Sequence, residues 1–585
     1  MSLIFLICFA KLAVSLPVFS LIENGHIKAY ESVIFVLSIL GMMEWVIFSV
    51  INLATFRNVY KNPDVSTKKW RVICVSIFYM ALRLIFLPFY LTGLFGSDTQ
   101  VQTLIFRVGT IMLAIWWNFT LLVPVATSWY SRMRYGFGNT GLGETEKPYN
   151  FIVILPVYNE TLELLTEGVD SIFNQTFDSE RVEIHVTFDS DDLSDLYVNF
   201  VKYLGVNLDN TSTYSSDHHG RSIKSTPPSS IHSSDSSIYE SCVSVQSYPE
   251  SIFVTVRGFI IFIHRFPHGG KRLTQSKNWD FIVKQRENVE MDKERTLLIL
   301  TDSDNFMYNN AFQNLSKNFE KHTEKLALSG YMTCMSKNKK SNLLVLLQDT
   351  EYISGEMNRG FELLCGTVNC LPGGFTAIRY NAFESVSDRY FMDLSDSSIT
   401  DYHRNYLGED RYLTHIMHQE FPKHSMGFCP SARCKTDAPP TVCGLIKQRR
   451  RWYLGAISNE AYMFTDGIIA SKYPVLVLYK ILGMAWWRYF FFTQFILIVF
   501  LLHDIDFSTW SGIQTQALSV GIPYVISWLF IIYTGIVLGR YKVIWMYPLS
   551  MIPQLFLSFF TDVYTVFTLF KRSWGGVRTV PSVNL

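Results

Sequence analysis

The densest group of residues able to do chemistry lies between Leu407 and Trp452. It contains the carboxylates Glu409 and Asp410, and it ends in the run Gln-Arg-Arg-Arg-Trp at residues 448–452. A carboxylate can take a proton from a hydroxyl group, arginines bind phosphate oxygens, and a large aromatic ring offers a flat surface to a sugar. This combination predicts a site for a ligand that is both anionic and sugar-like.

Each part of this stretch also fits a simpler role. Glu409, Asp410 and Arg411 are typical of a solvated helical turn with a surface ion pair, which contributes little to stability. The arginines Arg449 to Arg451 also fit the positive flank of a membrane helix or a patch for anionic lipid. Because both parts occur together and follow further acidic motifs, we favour the functional interpretation.

An acidic motif follows an apolar run further upstream. Residues 297–301, Leu-Leu-Ile-Leu-Thr, predict a buried strand, and Asp302 and Asp304 come directly after it. Mg²⁺ in proteins typically binds one or two carboxylates together with substrate phosphates. The pair therefore predicts a site for Mg²⁺ or Mn²⁺, where the metal would neutralise charge on a diphosphate leaving group.

Two more predicted strands end in polar residues. The apolar run 151–156 precedes Tyr158 and Glu160, and the run 182–188 leads into Asp189. Ligands of open α/β sheets bind beyond the carboxyl ends of the strands. We therefore expect a nucleotide near these side chains, although Asp189 would also suit the N-cap of a following helix.

A glycine-rich turn follows another apolar run, 252–266, which predicts one strand. Gly269 and Gly270 allow an anion to approach the backbone, and Lys271 and Arg272 can donate hydrogen bonds to a diphosphate. The same residues also fit an ordinary β-turn with exposed basic side chains. The local sequence alone leaves both interpretations open.

Composition excludes some classes of protein and favours a membrane protein. The chain is 49% hydrophobic and 15% aromatic, which is high for a soluble enzyme, and the excess is concentrated at its two ends. A formal net charge of +1 excludes a strongly basic nucleic-acid binder as a first interpretation, so we expect no nucleic acid as partner. The nine cysteines have no Cys-x-x-Cys spacing, so neither a zinc site nor a disulfide framework is predicted.

Apolar runs at both ends predict membrane segments. They lie at about residues 3–22, 32–53, 71–95, 102–130, 476–502, 517–539 and 543–570. Lys11 and Pro17 interrupt the first run; we favour an uncleaved helix there, and a signal-peptide-like or interfacial segment is the open alternative. Positive charges between residues 57 and 71, and at Arg132 and Arg134, place the central part of the chain in the cytosol by the positive-inside preference. Pro548 and Pro553 interrupt the last run, which favours a re-entrant or interfacial hairpin there.

The motifs resemble those of chitin synthases, which are processive membrane glycosyltransferases of family 2 related to cellulose and hyaluronan synthases. The similarity is carried by Gly-Glu-Asp-Arg-x-Leu-Thr at 408–414, Gln-Arg-Arg-Arg-Trp at 448–452, Cys-Lys-Thr at 434–436 and Cys-Leu-Pro-Gly at 370–373. It covers about residues 151–452. Gly374 and Ile378 stand where the family more often has Cys and Tyr, so the wall of the sugar pocket is expected to differ.

This resemblance implies a fold and a division of the chain. The fold is an α/β cytosolic glycosyltransferase domain, GT-A-like, with a mixed sheet flanked by helices, inserted between N- and C-terminal transmembrane helices. We expect N-terminal transmembrane helices in 1–130, the glycosyltransferase domain in 131–452, an interfacial helix in 453–472 and transmembrane or re-entrant helices in 473–585. The polar, Ser-rich segment 210–251 predicts a disordered insertion.

The resemblance also implies an activity and residue roles. The reaction is inverting, processive transfer of N-acetylglucosamine from UDP-N-acetylglucosamine to the 4-hydroxyl of a growing β-1,4-linked polysaccharide, which then crosses the membrane. Asp410 would be the general base, assisted by Glu409, and Asp302 and Asp304 would hold Mg²⁺ or Mn²⁺. The residues expected to bind substrate are Pro156, Tyr158, Glu160, Asp189, Lys271, Arg272, Asp302, Gly373, Gln448, Arg451 and Trp452.

Other functions stay open at this point. A hyaluronan-type synthase would use the same frame with a second UDP-sugar, and a smaller transferase would make a short lipid-linked glycan. A transporter or receptor with a large cytosolic domain would leave the ordered acidic motifs unexplained, and intramembrane charges such as Arg488 and Asp562 are few. We expect a multi-pass protein of the plasma membrane in contact with the lipid bilayer; a homo-oligomer is an open alternative to a monomer.

Overall fold

The computed structural model describes most of the chain between residues 29 and 572. The described ranges are 29–95, 118–135, 147–190, 193–206, 212–213, 250–287, 291–335, 342–392, 398–486 and 522–572, with isolated positions at 496 and between 100 and 115. The apolar run 3–22 and nearly all of the Ser-rich segment 210–251 lie outside them, so the predictions for these stretches stay predictions.

A ten-stranded mixed sheet occupies the middle of the chain, as the resemblance implied. Its strands are β1 Asn150–Val157, β2 Val182–Asp189, β3 Ser212–Thr213, β4 Ser251–Val256, β5 Phe259–Phe266, β6 Thr296–Thr301, β7 Asn305–Met307, β8 Ala327–Met335, β9 Phe375–Arg379 and β10 Met426–Asp437. They lie in the order β3-β4-β5-β2-β1-β6-β9-β8-β10-β7. The strands β5, β2, β1 and β6 are parallel, whereas β9 runs antiparallel to β6 and β8.

Helices precede, cover and follow the sheet. In chain order they are α1 Ala29–Lys61, α2 Lys69–Leu84, α3 Leu87–Phe95, α4 Val123–Tyr135, α5 Leu162–Phe173, α6 Asp195–Tyr203, α7 Lys271–Arg286, α8 Ala311–Lys321, α9 Leu343–Leu364, α10 Tyr380–Phe391, α11 Ile399–Tyr402, α12 Glu409–Glu420, α13 Val442–Thr465, α14 Gly467–Lys472, α15 Pro474–Trp486, α16 Ile522–Val537 and α17 Tyr541–Phe567. Short π-helical turns cover Asn118–Leu122 and His403–Leu407.

The sheet is covered on both faces, which explains its continuous apolar strands. The helices α5, α6 and α8 contribute to one hydrophobic cluster with the sheet, and α7, α10 and α12 contribute to the other. All six residues of β6 are buried, as expected for a strand packed on both sides. Because β1, β2 and β6 are parallel, their carboxyl ends meet at one edge of the sheet, and the acidic motifs lie at this edge.

The predicted single strand over residues 252–266 is wrong, because the chain reverses in its middle. β4 and β5 form a hairpin, joined by Arg257 with φ 53° and Gly258 with φ 85°. Two consecutive positive φ values are the signature of a tight two-residue hairpin turn, which glycine favours. Because the residues on both sides of this turn are apolar, the hydrophobic pattern did not reveal it.

Two stretches among the described residues are long and apolar enough to cross a membrane. They are Ser32–Lys61 and Lys69–Phe95, which match the predicted runs 32–53 and 71–95. The apolar helices Pro474–Trp486, Ile522–Val537 and Phe556–Phe567 are shorter than such a span.

Two expected boundaries near the C-terminal side differ from the structure. The helix α13 begins at Val442 and continues through Trp452 to Thr465, and its second half is buried inside the protein, so 453–472 does not form a separate interfacial helix. Residues 541–567 form one helix through Pro548 and Pro553, so the hairpin interpretation of this run is wrong. Packing of α17 against α9, α13 and α16 supports the helix where the prolines remove backbone hydrogen bonds.

Candidate active site

A cavity of about 590 Å³ lies at the carboxyl edge of the sheet and holds nearly all the predicted site residues. The predicted residues that line it are Pro156, Tyr158, Glu160, Asp189, Lys271, Asp302, Asp304, Gly373, Glu409, Asp410, Gln448, Arg451 and Trp452. They come from strand ends, a glycine turn and two helices that lie far apart in the sequence. Arg272 is the one predicted residue outside the cavity lining.

Asp189, the last residue of β2, holds the glycine turn in place. Its carboxylate accepts hydrogen bonds from the backbone N–H groups of Gly269, at 2.9 Å, and Gly270, at 3.1 Å. The alternative role as a helix N-cap is wrong, because Ser194 caps α6. Gly270 has φ 84° and precedes the first residue of α7, so the turn needs a backbone conformation that glycine adopts freely.

Two stacked rings form one wall beside this turn. The rings of Tyr158 and His268 lie 5.0 Å apart between centroids with an interplanar angle of 22°. His268 Nδ1 is also 3.1 Å from Asp189 Oδ2, which orients the imidazole. The wall offers a flat surface to a planar group such as a nucleobase.

Lys271, the first residue of α7, joins two of the predicted motifs. Its Nζ lies 2.7 Å from Asp302 Oδ1 and 2.8 Å from Glu409 Oε1. Burial alone would lower the pKa of Lys271, but the two carboxylates together raise it above its usual value, so the ammonium stays charged. A Cβ atom at Gly373 would lie 3.1 Å from this Nζ, so a larger residue there would crowd the bridge.

Arg272 does not line the cavity in which we expect the diphosphate. Its side chain is buried, and Nη2 donates to the carbonyl oxygens of Tyr390 and Met392. The guanidinium also faces the rings of Tyr390, Tyr406 and Tyr412 at 5.4–5.5 Å. Arg272 therefore stabilises the contact between α7 and the segment after α10.

Carboxylates crowd together at the end of β6. Burial raises the pKa of Asp304 well above its ordinary value, and the charges of Asp302, Glu160 and Asp437 raise it further. Such repulsion among crowded carboxylates is relieved when a cation binds between them. The donor set consists of oxygen ligands, which suits Mg²⁺ or Mn²⁺, so Asp302 and Asp304 fit the predicted metal.

Asp437 was missed by the sequence interpretation. It is the last residue of β10, its backbone N–H lies 3.3 Å from the carbonyl oxygen of Asp304, and it lines the cavity. Like Asp189, it ends a strand of the sheet, but β10 contains Pro430, Arg433 and Lys435, so its sequence has no apolar run that predicts a strand there. The motif Cys-Lys-Thr at 434–436 stops one residue short of it.

A second acidic group lies away from the cavity. Ligand atoms of Asp64, His415 and Asp466 all lie within 4.8 Å of one another. The carboxylate of Asp64 already accepts two hydrogen bonds from Arg404, at 2.6 and 3.1 Å, and Asp466 Oδ1 accepts from Ile469 N at 2.9 Å. These oxygens are engaged in holding the loop between α1 and α2 against α12 and α14, so we assign no metal to them.

Glu409 and Asp410 begin α12, where the orientation of both depends on a close helix contact. Asn459 Nδ2 donates to the carbonyl oxygen of Gly408 at 3.0 Å, and a Cβ at Gly408 would lie 2.9 Å from backbone atoms of Gly455. Glycine at both positions therefore lets α12 start directly against α13. Asp410 Oδ1 accepts the backbone N–H of Arg411 at 2.8 Å, and Asp410 Oδ2 lies 3.1 Å from Cys370 Sγ.

The Gln-Arg-Arg-Arg-Trp run lies on α13, and its side chains diverge. Gln448, Arg449, Arg451 and Trp452 line the cavity, whereas Arg450 does not. Arg449 lies over the Trp452 ring at 4.2 Å and forms an ion pair of 2.8 Å with Glu351. The indole is therefore held in a fixed orientation at the cavity wall.

The cavity is also lined by charged residues that the sequence interpretation did not single out. They are Glu356, Arg359, Glu362 and Lys480. Lys480 Nζ, on the apolar helix α15, lies 3.0 Å from Glu362 Oε1 on α9. The cavity therefore extends from the strand ends to the helices that flank the sheet.

Comparisons with known proteins agree with this geometry. The sequence model of the chitin synthase family matches residues 278–584. Chitin synthase 7 of Verticillium dahliae is 29% identical over 94% of this chain and 74% of its own length. Chitin synthase G of Aspergillus niger is 32% identical over 73% of this chain and 52% of its own length.

Among solved structures, a mannosyltransferase from Pyrobaculum calidifontis in complex with GDP-Man and Mn²⁺ has a TM-score of 0.42. It is 12% identical, and the match covers 79% of this chain and 100% of that one. This score is too low to support an argument.

The mixed sheet, its acidic cavity and the chitin synthases to which the sequence is similar define a glycosyltransferase. The family match extends over more than half of the chain and includes both the Glu-Asp-Arg and the Gln-Arg-Arg-Arg-Trp motifs. The chain belongs to the chitin synthase family.

Proposed function

We propose that this glycosyltransferase is a processive chitin synthase. It transfers N-acetylglucosamine from UDP-N-acetylglucosamine to the 4-hydroxyl of a growing β-1,4-linked polymer with inversion. The observation that carries the proposal is the convergence of Asp410, the Asp302–Asp304 pair and Trp452 on one cavity in a chain of this family.

The donor occupies the side of the cavity formed by the strand ends. The ring of Tyr158, which stacks on His268, lies near the nucleobase of the donor. Lys271 and Arg451 provide positive charge for the diphosphate. Asp302 and Asp304 are the residues that hold Mg²⁺ or Mn²⁺, and the bound ion supplies charge neutralisation for the departing UDP.

The acceptor chain occupies the opposite side, next to α12 and α13. Trp452 and Gln448 position its terminal sugar, and Asp410 takes the proton from the attacking 4-hydroxyl. Glu409 forms an ion pair with Lys271 and so connects the start of α12, which carries the general base Asp410, to the donor side of the cavity. We do not assign Glu409 as a second base. The cavity extends past Arg411 toward Lys480, and this end leads the product toward the membrane helices.

In this proposal the catalytic domain faces the cytosol, where nucleotide sugars are made, and the apolar helices anchor the protein in the plasma membrane. The spans Ser32–Lys61 and Lys69–Phe95 support anchoring, and the basic loop between them supports a cytosolic side. Protease protection in sealed vesicles tests this orientation.

The reaction is tested with purified protein supplied with one donor at a time. We expect UDP release with UDP-N-acetylglucosamine alone and a product that chitinase digests. A requirement for a second UDP-sugar would instead indicate a hyaluronan-type or other polysaccharide synthase.

Asp410→Asn tests the assigned base. We expect it to retain UDP binding and to lose at least about 100-fold in turnover, because the acceptor hydroxyl loses its proton acceptor. Asp388→Asn, at an exposed position outside the cavity lining, is the matched control and should behave as wild type. Comparable turnover by Asp410→Asn would refute the role given to this carboxylate.

A further inference from the structure

A half-buried thiol in the cavity lining contacts the carboxylate that we assign as the general base. Cys370 Sγ lies 3.1 Å from Asp410 Oδ2, within hydrogen-bond range for sulfur. Asp410 Oδ1 accepts the backbone N–H of Arg411 at 2.8 Å. Both oxygens of the carboxylate are therefore held by the protein, one of them by a side chain.

The thiol is a donor in this contact. Burial raises the pKa of the Cys370 thiol, and the negative charge of Asp410 raises it further, so the sulfur stays protonated near neutral pH. A protonated thiol can donate to a carboxylate, whereas it is a poor nucleophile. No covalent role follows for Cys370.

The backbone on each side of Cys370 is anchored to two different helices. Asn369 N donates to Glu362 Oε2 on α9 at 3.0 Å, and Leu371 N donates to Thr414 Oγ1 on α12 at 2.8 Å. Thr414 Oγ1 in turn donates to the carbonyl oxygen of Asp410 at 2.7 Å. The position of the sulfur relative to the carboxylate is therefore set by packing, independently of any ligand.

The geometry points to Cys370 as a positioning residue that holds the Asp410 carboxylate in its reactive orientation. The hydrogen bond removes one rotational freedom of the carboxylate and leaves its remaining lone pairs for the acceptor hydroxyl. This inference rests on the proposed function, in which Asp410 receives the acceptor proton. A positional error of about 1 Å in a reacting group can cost about 100-fold in rate, so even a weak contact of this kind matters.

Two substitutions separate positioning from packing. Cys370→Ala removes the donor, and we expect kcat for UDP release to fall about tenfold while the KM for UDP-N-acetylglucosamine changes less than about twofold. Cys370→Ser keeps a donor, so we expect it to stay within about threefold of wild-type kcat. Cys365→Ala, at a cysteine outside the cavity lining, is the control and should leave both constants unchanged.

A second measurement does not depend on activity. Asp410→Asn removes the charge that helps raise the pKa of the thiol, so N-ethylmaleimide should modify Cys370 several-fold faster in this variant than in wild type. Modification of the exposed Cys443, which lies in a different tryptic peptide, serves as the internal reference in the same digest. This readout applies even if Cys370→Ala does not fold.

The possible results distinguish failure of the inference about Cys370 from failure of the proposed function. Wild-type kcat in Cys370→Ala, an equal loss in the serine and alanine variants, or equal modification of Cys370 with and without the Asp410 charge would each overturn the inference. Failure of the wild-type protein to release UDP from UDP-N-acetylglucosamine would instead overturn the proposed function, and the maleimide result would still report on the contact.

Discussion

Arg450 Nε lies 2.6 Å from Thr568 Oγ1, so the middle arginine of the Gln-Arg-Arg-Arg-Trp run is bound to the end of the last described helix. Its Nη2 also donates to the carbonyl oxygen of Lys571 at 2.9 Å. A cation at a helix C-terminus is favoured by the unpaired carbonyls and by the helix dipole. Adjacent arginines of one motif therefore serve different purposes, because Arg450 joins α13 to α17 while Arg449 and Arg451 face the cavity.

The first prediction separates these roles. Arg450→Ala should lower the free energy of unfolding by about 2–4 kcal/mol, because it leaves buried carbonyls without a charged donor, while the KM for the donor stays near wild type. Arg451→Ala should raise that KM about tenfold with little change in Tm. Thermal denaturation and initial rates of UDP release, measured on both variants, check the contrast. The reverse pattern would contradict the assignment.

Lys271 and Arg272 form a second contrasting pair. Lys271→Met should lower kcat/KM by about 100-fold, because Asp302 and Glu409 lose the cation between them and the diphosphate loses a donor. Arg272→Lys keeps the charge but loses the planar fork that reaches Tyr390 and Met392, so it should lower Tm and keep donor KM. Steady-state kinetics and thermal melts distinguish the two outcomes. Loss of donor affinity in Arg272→Lys would show that this side chain reaches the substrate after all.

The two acidic groups predict different responses to metal. EDTA should abolish UDP release, and Mg²⁺ or Mn²⁺ should restore it. Asp304→Asn should weaken Mn²⁺ binding at least about tenfold, measured by electron paramagnetic resonance without substrate, because it removes one of the crowded carboxylates. Asp466→Asn should leave Mn²⁺ binding unchanged. Weaker binding in Asp466→Asn, with binding unchanged in Asp304→Asn, would mean that the group around His415 binds the ion.

A pH-dependent prediction concerns Glu183 on β2, whose carboxylate contacts His185 and Arg286. Burial by itself would raise the pKa of Glu183, but the hydrogen bond from His185 and the charge of Arg286 lower it from 4.5 to about 2. A lowered carboxyl pKa contributes stability that is fully present above pH 4.5 and is lost as the pH falls toward about 2.

Glu183→Gln should therefore lower Tm at pH 7. The difference from wild type should shrink as the pH falls from 4.5 toward about 2. Thermal melts of both proteins across this range provide the test. A constant difference in Tm would contradict the assigned ionisation.

Much of the site was predictable because its residues mark the ends of strands. Asp189 and Asp302 each follow an apolar run, and the parallel order of β2, β1 and β6 brings such ends to one edge of the sheet. Local hydrophobic pattern and the rule for ligands of α/β sheets were sufficient for that inference. Asp437 also ends a strand, but β10 contains Pro430, Arg433 and Lys435, so no apolar run in the sequence predicts that strand.

Side-chain direction was not predictable at consecutive helical positions. Neighbouring residues on a helix point about 100° apart, so one can line the cavity while the next turns away, as Lys271 and Arg272 do, and Arg449 and Arg450. Which of them turns inward depends on how the helix is rotated against the sheet. The contact between Cys370 and Asp410, 40 residues apart, also depends on that packing and has no local sequence signal.

The sequence by itself therefore determined the chemical inventory: apolar strands with carboxylates at their ends, a basic and aromatic run, and apolar helices before the catalytic part. Only the tertiary structure decided which charges meet, as in the bridge of Lys271 between Asp302 and Glu409. The physical reason is that strand pattern and residue type are local properties, whereas helix rotation is set by the packing of the whole core.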